Sequence, residues 1–218
     1  MQRSVIIAAA GSGKRMGTET PKQFLEVGGQ PIILRTIKKF LNVYSDIEVI
    51  VVLPDEHLAY WEKLKPDFKA ILVAGGEERF HSVKNALEKA SGDLIAIHDA
   101  VRPFVSEEVI KKAFEQAEVA GAVIPVIKVK ESLRKITFDE SEPAPRGAFR
   151  IVQTPQVFKS NVIKMAYEQP YHLYFTDDAT VVEEAGHDIV LIDGNEENIK
   201  VTTPFDLSVA QALASLEK

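Results

Sequence analysis

Five short runs of apolar, mostly β-branched residues alternate along this chain with stretches that carry apolar residues at helical spacing. The runs cover residues 4–9, 47–53, 70–74, 94–98 and 121–127, and the helical stretches between them cover 31–42, 56–65, 80–90 and 106–120. Leu58, Trp61 and Leu64 share one helical stripe, and Val83, Leu87 and Ala90 share another. Ser106, followed by Glu107, Glu108 and an apolar run, is an N-cap signal. Strand–helix alternation of this kind predicts an α/β fold, a Rossmann-like, mostly parallel twisted sheet with helices on both faces. In such sheets ligands bind at the carboxyl ends of the strands, so the loops after each run are where chemistry is expected.

The alternation breaks at 128–148. Residues 128–138 alternate polar and apolar, and 139–143 reads as a turn, which predicts a projecting hairpin arm at about 128–150 with a return strand through 149–152. A two-stranded hairpin is marginal alone, so the arm is expected to pack on a second copy and make a homodimer. Helices near 159–168 and 176–186, a strand at 188–192 and a terminal helix at 204–216 follow. No repeat, low-complexity tract or linker interrupts the chain, and the economical reading is one domain over 1–218 with a dimerisation arm.

Composition narrows the partners. The 218 residues are 45% hydrophobic and 27% charged, with a net charge of −6 spread along the chain. A net acidic protein is a poor match for a nucleic-acid backbone, while a local basic pocket within it suits a small anionic ligand. With no cysteine there is no disulfide, thiolate metal site or cysteine nucleophile. No signal-peptide pattern or membrane-length apolar run is present, and the cytoplasm is the expected compartment.

The loop after the first run is the most specific segment. Gly11, Gly13 and Gly17 allow close backbone approach, and Lys14, Arg15 and Lys22 add three cations, which together describe a polyanion site, most simply a triphosphate. A Walker A loop fails because Ala8 and Arg15 stand where a glycine and a hydroxyl residue are needed. A dinucleotide fingerprint fits only at Gly11-Ser12-Gly13, since Pro21 falls where its helix should run. The loop of sugar nucleotidyltransferases, with a Pro-Lys pair after Gly-x-Gly-x-Arg-Met, has all its elements here.

Other strand ends add to it. Gly75 and Gly76 open a loop in which a base or ribose can lie against the main chain, with the Ser82 hydroxyl near the next helix start. Asp99 ends the fourth run, and its hard oxygens suit magnesium shared with phosphates. Arg102 is read as structural, pairing with Asp99 or another carboxylate, and His98 as a packing residue. The five histidines show no metal-ligand spacing. Lys200, just before a proline-initiated helix, offers another cation, with a solvated lysine as the plain alternative. Arg146 and Thr154 flank the arm's return and suit a second, smaller phosphate. No Ser/His/Asp set or close carboxylate pair is evident, as expected where positioning and charge stabilisation do the work.

The ordered blocks Ala9-Ala10-Gly11-x-Gly13-x-Arg15-Met16, Pro21-Lys22-Gln23, Gly75-Gly76-x-x-Arg79-x-x-Ser82-Val83, His98-Asp99-Ala100-x-Arg102-Pro103, Thr154-Pro155-Gln156 and Asn198-Ile199-Lys200-Val201-Thr202 resemble the 2-C-methyl-D-erythritol 4-phosphate cytidylyltransferase family, nucleotidyltransferases of glycosyltransferase-A-like fold. The resemblance runs from the first strand to the last helix. It implies that Arg15, Lys22 and Lys200 are catalytic, holding the triphosphate and the charge at the α-phosphorus. It implies that Ala9, Ala10, Gly11, Gly76, Glu77 and Ser82 contact cytidine, and that Asp99 and Ala100 lie by the ribose, with Asp99 at Mg2+. Ser132, Arg146 and Thr154 would face the acceptor, a polyol phosphate, some of them donated across a homodimer. The family commonly has Asp-Thr where Glu131-Ser132 stands, and Asp where Glu77 stands.

Two rivals frame the reading. Ribitol 5-phosphate cytidylyltransferases have similar blocks but typically read Gly-Gly after the first strand and often lack Ser-Val after the Gly-Gly-x-x-Arg block. Ala9-Ala10-Gly11 and Ser82-Val83 therefore favour methylerythritol phosphate. A non-catalytic nucleotide-sensing domain has no need of Arg15, Lys22, Asp99 and Lys200 together.

Overall fold

The computed structural model describes residues 1–11, 16–17 and 20–217. In chain order its elements are β1 (Arg3–Ala8), the short pair β2 (Glu26–Val27) and β3 (Gln30–Pro31), α1 (Ile32–Val43), β4 (Glu48–Leu53), α2 (Leu58–Leu64), β5 (Ile71–Ala74), α3 (Arg79–Leu87), β6 (Leu94–Asp99), α4 (Glu107–Ala120) and β7 (Ala122–Lys128). There follow β8 (Leu133–Thr137), β9 (Glu140–Ala144), β10 (Arg150–Val152), β11 (Gln156–Lys159), α5 (Ser160–Ala166), α6 (Asp178–Glu184), β12 (Val190–Asp193) and α7 (Pro204–Leu216).

The main sheet runs β10-β7-β11-β6-β1-β4-β5, with β12 also on β7. β1 pairs parallel with β4 and β6, β4 with β5, and β7 with β12. Side-chain alternation with period two divides the core between the sheet's faces. Val5, Ile7, Val49, Val51 and Leu53 pack with Ile33, Ile37 and Phe40 of α1 and Ile110 and Phe114 of α4. Ile6, Ile50, Val52, Ile95 and Ile97 pack on the other side with Phe80, Val83 and Leu87 of α3 and with Ile163 of α5. Strands covered on both faces read as continuous apolar runs, which is why the sequence pattern exposes them.

Helix boundaries have local causes. The Ser106 hydroxyl accepts from the Val109 N–H as the N-cap of α4, and Gly121, at φ 91°, ends that helix in a conformation that favours glycine. A capping box between Thr203 and Asp206, with Pro204 in the first turn, starts α7.

Three features depart from the sequence expectation. β11, unmarked by the sequence pattern, inserts antiparallel between β6 and β7. Its first residue, Gln156, is buried because its side chain caps α6, donating to Asp177 at 2.7 Å and accepting from the Ala179 N–H at 2.9 Å. The arm's return strand is Glu140–Ala144 rather than 149–152, because the chain reverses over Phe138 and Asp139, with Phe138 at φ 52°. Nothing in Phe-Asp signals such a turn, and Pro143 is tolerated because β8 and β9 form a sheet of only two strands. Residues 150–152 instead extend the main sheet, antiparallel to β7.

Phe158 is fully buried on β11. Phe158→Ala is expected to destabilise the fold by about 3–5 kcal/mol, measured by urea unfolding at neutral pH.

Candidate active site

A cavity of about 360 Å3 opens at the carboxyl ends of β1, β5 and β6, lined by Ala8 to Gly11, Lys22, Gln23, Gly76 to Arg79, Ser82, Asp99 to Val101 and Lys200. That volume lies in the usual range for small-molecule sites. Ten of the residues singled out from sequence line it: Ala9, Ala10, Gly11, Lys22, Gly76, Glu77, Ser82, Asp99, Ala100 and Lys200. Arg15 lies outside the described residues, as do Gly13 and Lys14.

The glycine wall is built by close approach. A side chain at Gly76 would place its Cβ 2.4 Å from the Cβ of His81, so only glycine fits. The Gly76 N–H donates to the Ser82 hydroxyl at 2.9 Å, and the Gly75 N–H to the Leu53 carbonyl at 2.9 Å. The loop after β5 is thereby drawn back against the sheet, leaving main chain as the wall.

Asp99 is the electrostatic centre. Its Oδ2 accepts from Arg102 Nε and from Lys200 Nζ, each at 3.0 Å. Burial alone would raise this carboxyl, but Lys200, then Arg102 and Arg79, outweigh it and hold it well below the usual carboxylate range. Arg102 also donates to the Asn198 carbonyl at 2.8 Å, which brings the loop carrying Lys200 against the end of β6.

Beneath Asp99 lies a neutral polar chain. His98 Nε2 sits 3.1 Å from the Arg102 carbonyl, which can only accept, so that nitrogen carries the proton and Nδ1 faces Thr154 Oγ1 at 3.0 Å as acceptor. The Thr154 hydroxyl therefore donates to His98 and accepts from the Asp99 N–H at 3.1 Å. Burial pushes the His98 pKa down to about 4, against the opposing pull of the Arg102 carbonyl and Asp99.

The three acceptor residues named from sequence are not brought to this cavity. Thr154 is buried with its hydroxyl engaged as above, while Ser132 and Arg146 are exposed on the arm segment, Arg146 donating to the Lys130 carbonyl. Conversely, residues to which the sequence reading gives no role prove central. Arg79 Nη1 and Nη2 bind both oxygens of Asp178 at 2.7 and 2.6 Å, and the Tyr167 hydroxyl donates to Asp178 at 2.6 Å. Burial would lower the Arg79 pKa, but Asp178 outweighs it and raises it. Asp178 sits in a polar helix start with nothing to mark it, whereas Arg79 and Gln23, both in the wall, stand in motif blocks with no role attached.

The model for 2-C-methyl-D-erythritol 4-phosphate cytidylyltransferase matches residues 4–215. The chain belongs to that family. The enzyme of that name from Bacteroides fragilis is 50% identical over 218 residues, which cover 98% of this chain and all of the relative. The crystal structure of the Thermus thermophilus enzyme is 34% identical with a TM-score of 0.78, covering 99% of this chain and 100% of that one. The structure of 4-diphosphocytidyl-2C-methyl-D-erythritol synthase from Anaerococcus prevotii is 30% identical with a TM-score of 0.85, covering 100% of this chain and 96% of that one. The family assignment agrees with a cavity in which glycine main chain, two lysines and a strand-end aspartate converge.

The Asp178 side chain is fully buried and that of Arg79 is one-third exposed. Asp178→Asn in this cytidylyltransferase is expected to cost about 2–3 kcal/mol in urea unfolding, less than a fully buried pair because water reaches part of Arg79.

Proposed function

We infer that the protein transfers the cytidylyl group of CTP to the phosphate of 2-C-methyl-D-erythritol 4-phosphate, releasing pyrophosphate, in the non-mevalonate route to isoprenoid precursors. The observation that carries this reading is the convergence of Lys22, Lys200 and Asp99 on a glycine-walled cavity in a chain matched to the family over 4–215. Nothing in the comparisons favours ribitol 5-phosphate as the acceptor.

The chemistry needs no enzyme nucleophile. A phosphate oxygen of the acceptor, anionic near neutral pH, attacks the α-phosphorus of CTP, and the bond from that phosphorus to the bridging oxygen breaks in line, with pyrophosphate as the leaving group. In this reading Lys22 and Lys200, which both line the cavity, meet the negative charge as it accumulates, and fixed cations in a cavity lower the barrier without reorganising. Arg15 belongs to the same proposed set. Ala9, Ala10, Gly11, Gly76, Glu77 and Ser82 are assigned to cytidine, and Asp99 and Ala100 to the ribose.

Magnesium is part of the same proposal. Among the described residues no three His, Asp or Glu side chains cluster as a metal site, and Asp99 already shares Oδ2 with two cations. Only its Oδ1 stands outside those ion pairs, which suits a hard cation that takes most of its oxygens from the triphosphate. Asp99 would hold it, and when bound it would neutralise charge on the phosphates.

A homodimer through the arm completes the proposal, with Ser132 and Arg146 serving a partner's acceptor site and Thr154 at its edge. The support is the arm's surface: Ile136 and Phe138 are 70% and 98% exposed, and Phe149, Ile151 and Val152 are exposed nearby. Apolar groups so displayed on a two-stranded ribbon need a covering surface. Cytoplasmic action fits substrates that are charged and membrane-impermeant.

Purified protein with CTP and magnesium is expected to release pyrophosphate with methylerythritol phosphate and not with ribitol phosphate; turnover of ribitol phosphate alone would overturn the acceptor. Lys22→Ala is expected to lower kcat about a hundred- to a thousandfold with unchanged circular dichroism. Phe138→Asp is expected to shift the mass measured by light scattering toward the monomer and to raise KM for the acceptor more than KM for CTP.

A further inference from the structure

Lys22 stands on a three-residue 3-10 turn, Lys22–Phe24, that follows Pro21. So short a turn has little hydrogen bonding of its own, and its place depends on what holds its side chains. Phe24 stacks on Tyr60 with centroids 5.3 Å apart and meets the edge of His57 at 6.0 Å. Gln23 is buried, and its Nε2 lies 2.9 Å from the Ala9 carbonyl and 3.1 Å from His57 Nδ1. The Ala9 N–H donates to the Val52 carbonyl at 3.0 Å, so Ala9 is fixed at both of its backbone groups. Ala9, Lys22 and Gln23 all line the nucleotide cavity.

The protons follow from the partners. The Ala9 carbonyl only accepts, so the amide nitrogen of Gln23 and not its oxygen faces it. That same nitrogen meets His57 Nδ1, which must then present a lone pair, making His57 the neutral Nε2–H tautomer. A protonated ring would set N–H against N–H and break the bond.

Burial favours a neutral ring, against the carboxylates of its own turn. Asp55 and Glu56 stand on its own turn, and Tyr60 of α2 lies edge-on with centroids 6.3 Å apart. From the 22–24 turn, Gln23 and Phe24 face it uncharged, and Lys22 carries that turn's charge. Burial pushes the His57 pKa below its ordinary value, with Glu56 opposing.

We propose that Gln23 and His57 are positioning residues for cytidylyl transfer: neutral His57 holds the Gln23 amide, and Gln23 holds Lys22 and the Ala9 carbonyl in the geometry of the cavity. The proposal rests on the functional reading above. The folded-state pKa of His57 is depressed, so the latch is intact above about pH 6.5, the ordinary value, and is lost as pH falls through the lower folded value.

The test compares kcat/KM for CTP from pH 5 to 8 in wild type and His57→Asn, whose amide oxygen can accept the Gln23 hydrogen bond without titrating. Substrate phosphates titrate in this range equally for both proteins, so the ratio isolates His57. H57N is expected to lose up to about fivefold at pH 7.5, and the ratio of variant to wild type is expected to rise as the pH falls through the range where the wild-type imidazole spectrum shows His57 protonating. A ratio that stays flat while His57 protonates overturns the proposal. Independently of how H57N folds, the imidazole nitrogen spectrum of wild type is expected to show His57 protonated at Nε2 at pH 7.5; an Nδ1–H ring also overturns it. Absence of transfer by wild type with that tautomer in place overturns the functional reading instead.

Discussion

A buried carboxylate needs compensation, and the way Asp99 obtains it organises the site. Its two cationic partners come from different places, Arg102 from the turn after β6 and Lys200 from the loop before α7. Arg102 reaches on to the Asn198 carbonyl, and the Asn198 amide donates to the Thr154 carbonyl at 2.8 Å. Thr154 returns to Asp99 through its hydroxyl. Three stretches distant in sequence are thereby closed into one circuit around a single strand end. Paired charges out of water add little net stability, and their effect here is to fix geometry. The result is that Lys200 arrives at a cavity otherwise built from the first half of the chain.

The two sides of that cavity are held by different physics. On the glycine side, main chain is the surface, and shape comes from the 2.9 Å bond between Gly76 and Ser82 and from the space that a side chain at Gly76 would overrun. On the cationic side, long flexible side chains must be aimed, and each is aimed by a neighbour: Lys200 by Asp99, Arg79 by Asp178, and the Lys22 turn by Gln23. A lysine confined before its ligand arrives loses less freedom on binding. Residues outside the cavity lining, Asp178 and His57, are therefore as much a part of the site's construction as the groups they support.

The parts legible in the sequence are those whose signal is local. Buried strands announce themselves as apolar runs, helix starts as Ser106 or Thr203-Pro204, and the nucleotide wall as glycines at strand ends. β11 escaped because Gln156 is buried by hydrogen bonds to α6 rather than by apolarity, so its strand lacks the usual pattern. The arm's turn escaped because Phe138 adopts φ 52° without the glycine or asparagine that normally marks it. Asp178 and His57 escaped because their importance lies in partners 99 and 34 residues away, and no window along the chain contains both ends of such a pair.

The proposed acceptor half of the site follows the same rule one level further out. Ser132 and Arg146 lie exposed on either side of a ribbon whose Ile136 and Phe138 are uncovered within the chain. A hairpin of this kind gains little from its own cross-strand pairs, so its sequence reflects the surface it meets more than the strands it contains. That accounts for why periodicity located the arm and misplaced its return strand: alternation reports a face buried within the chain, and this arm has none. The nucleotide cavity, closed by contacts within one chain, is legible from one chain. A site shared between copies would be written in two surfaces at once, and the exposed apolar tip at Phe138 would be the half of it that a single chain can display.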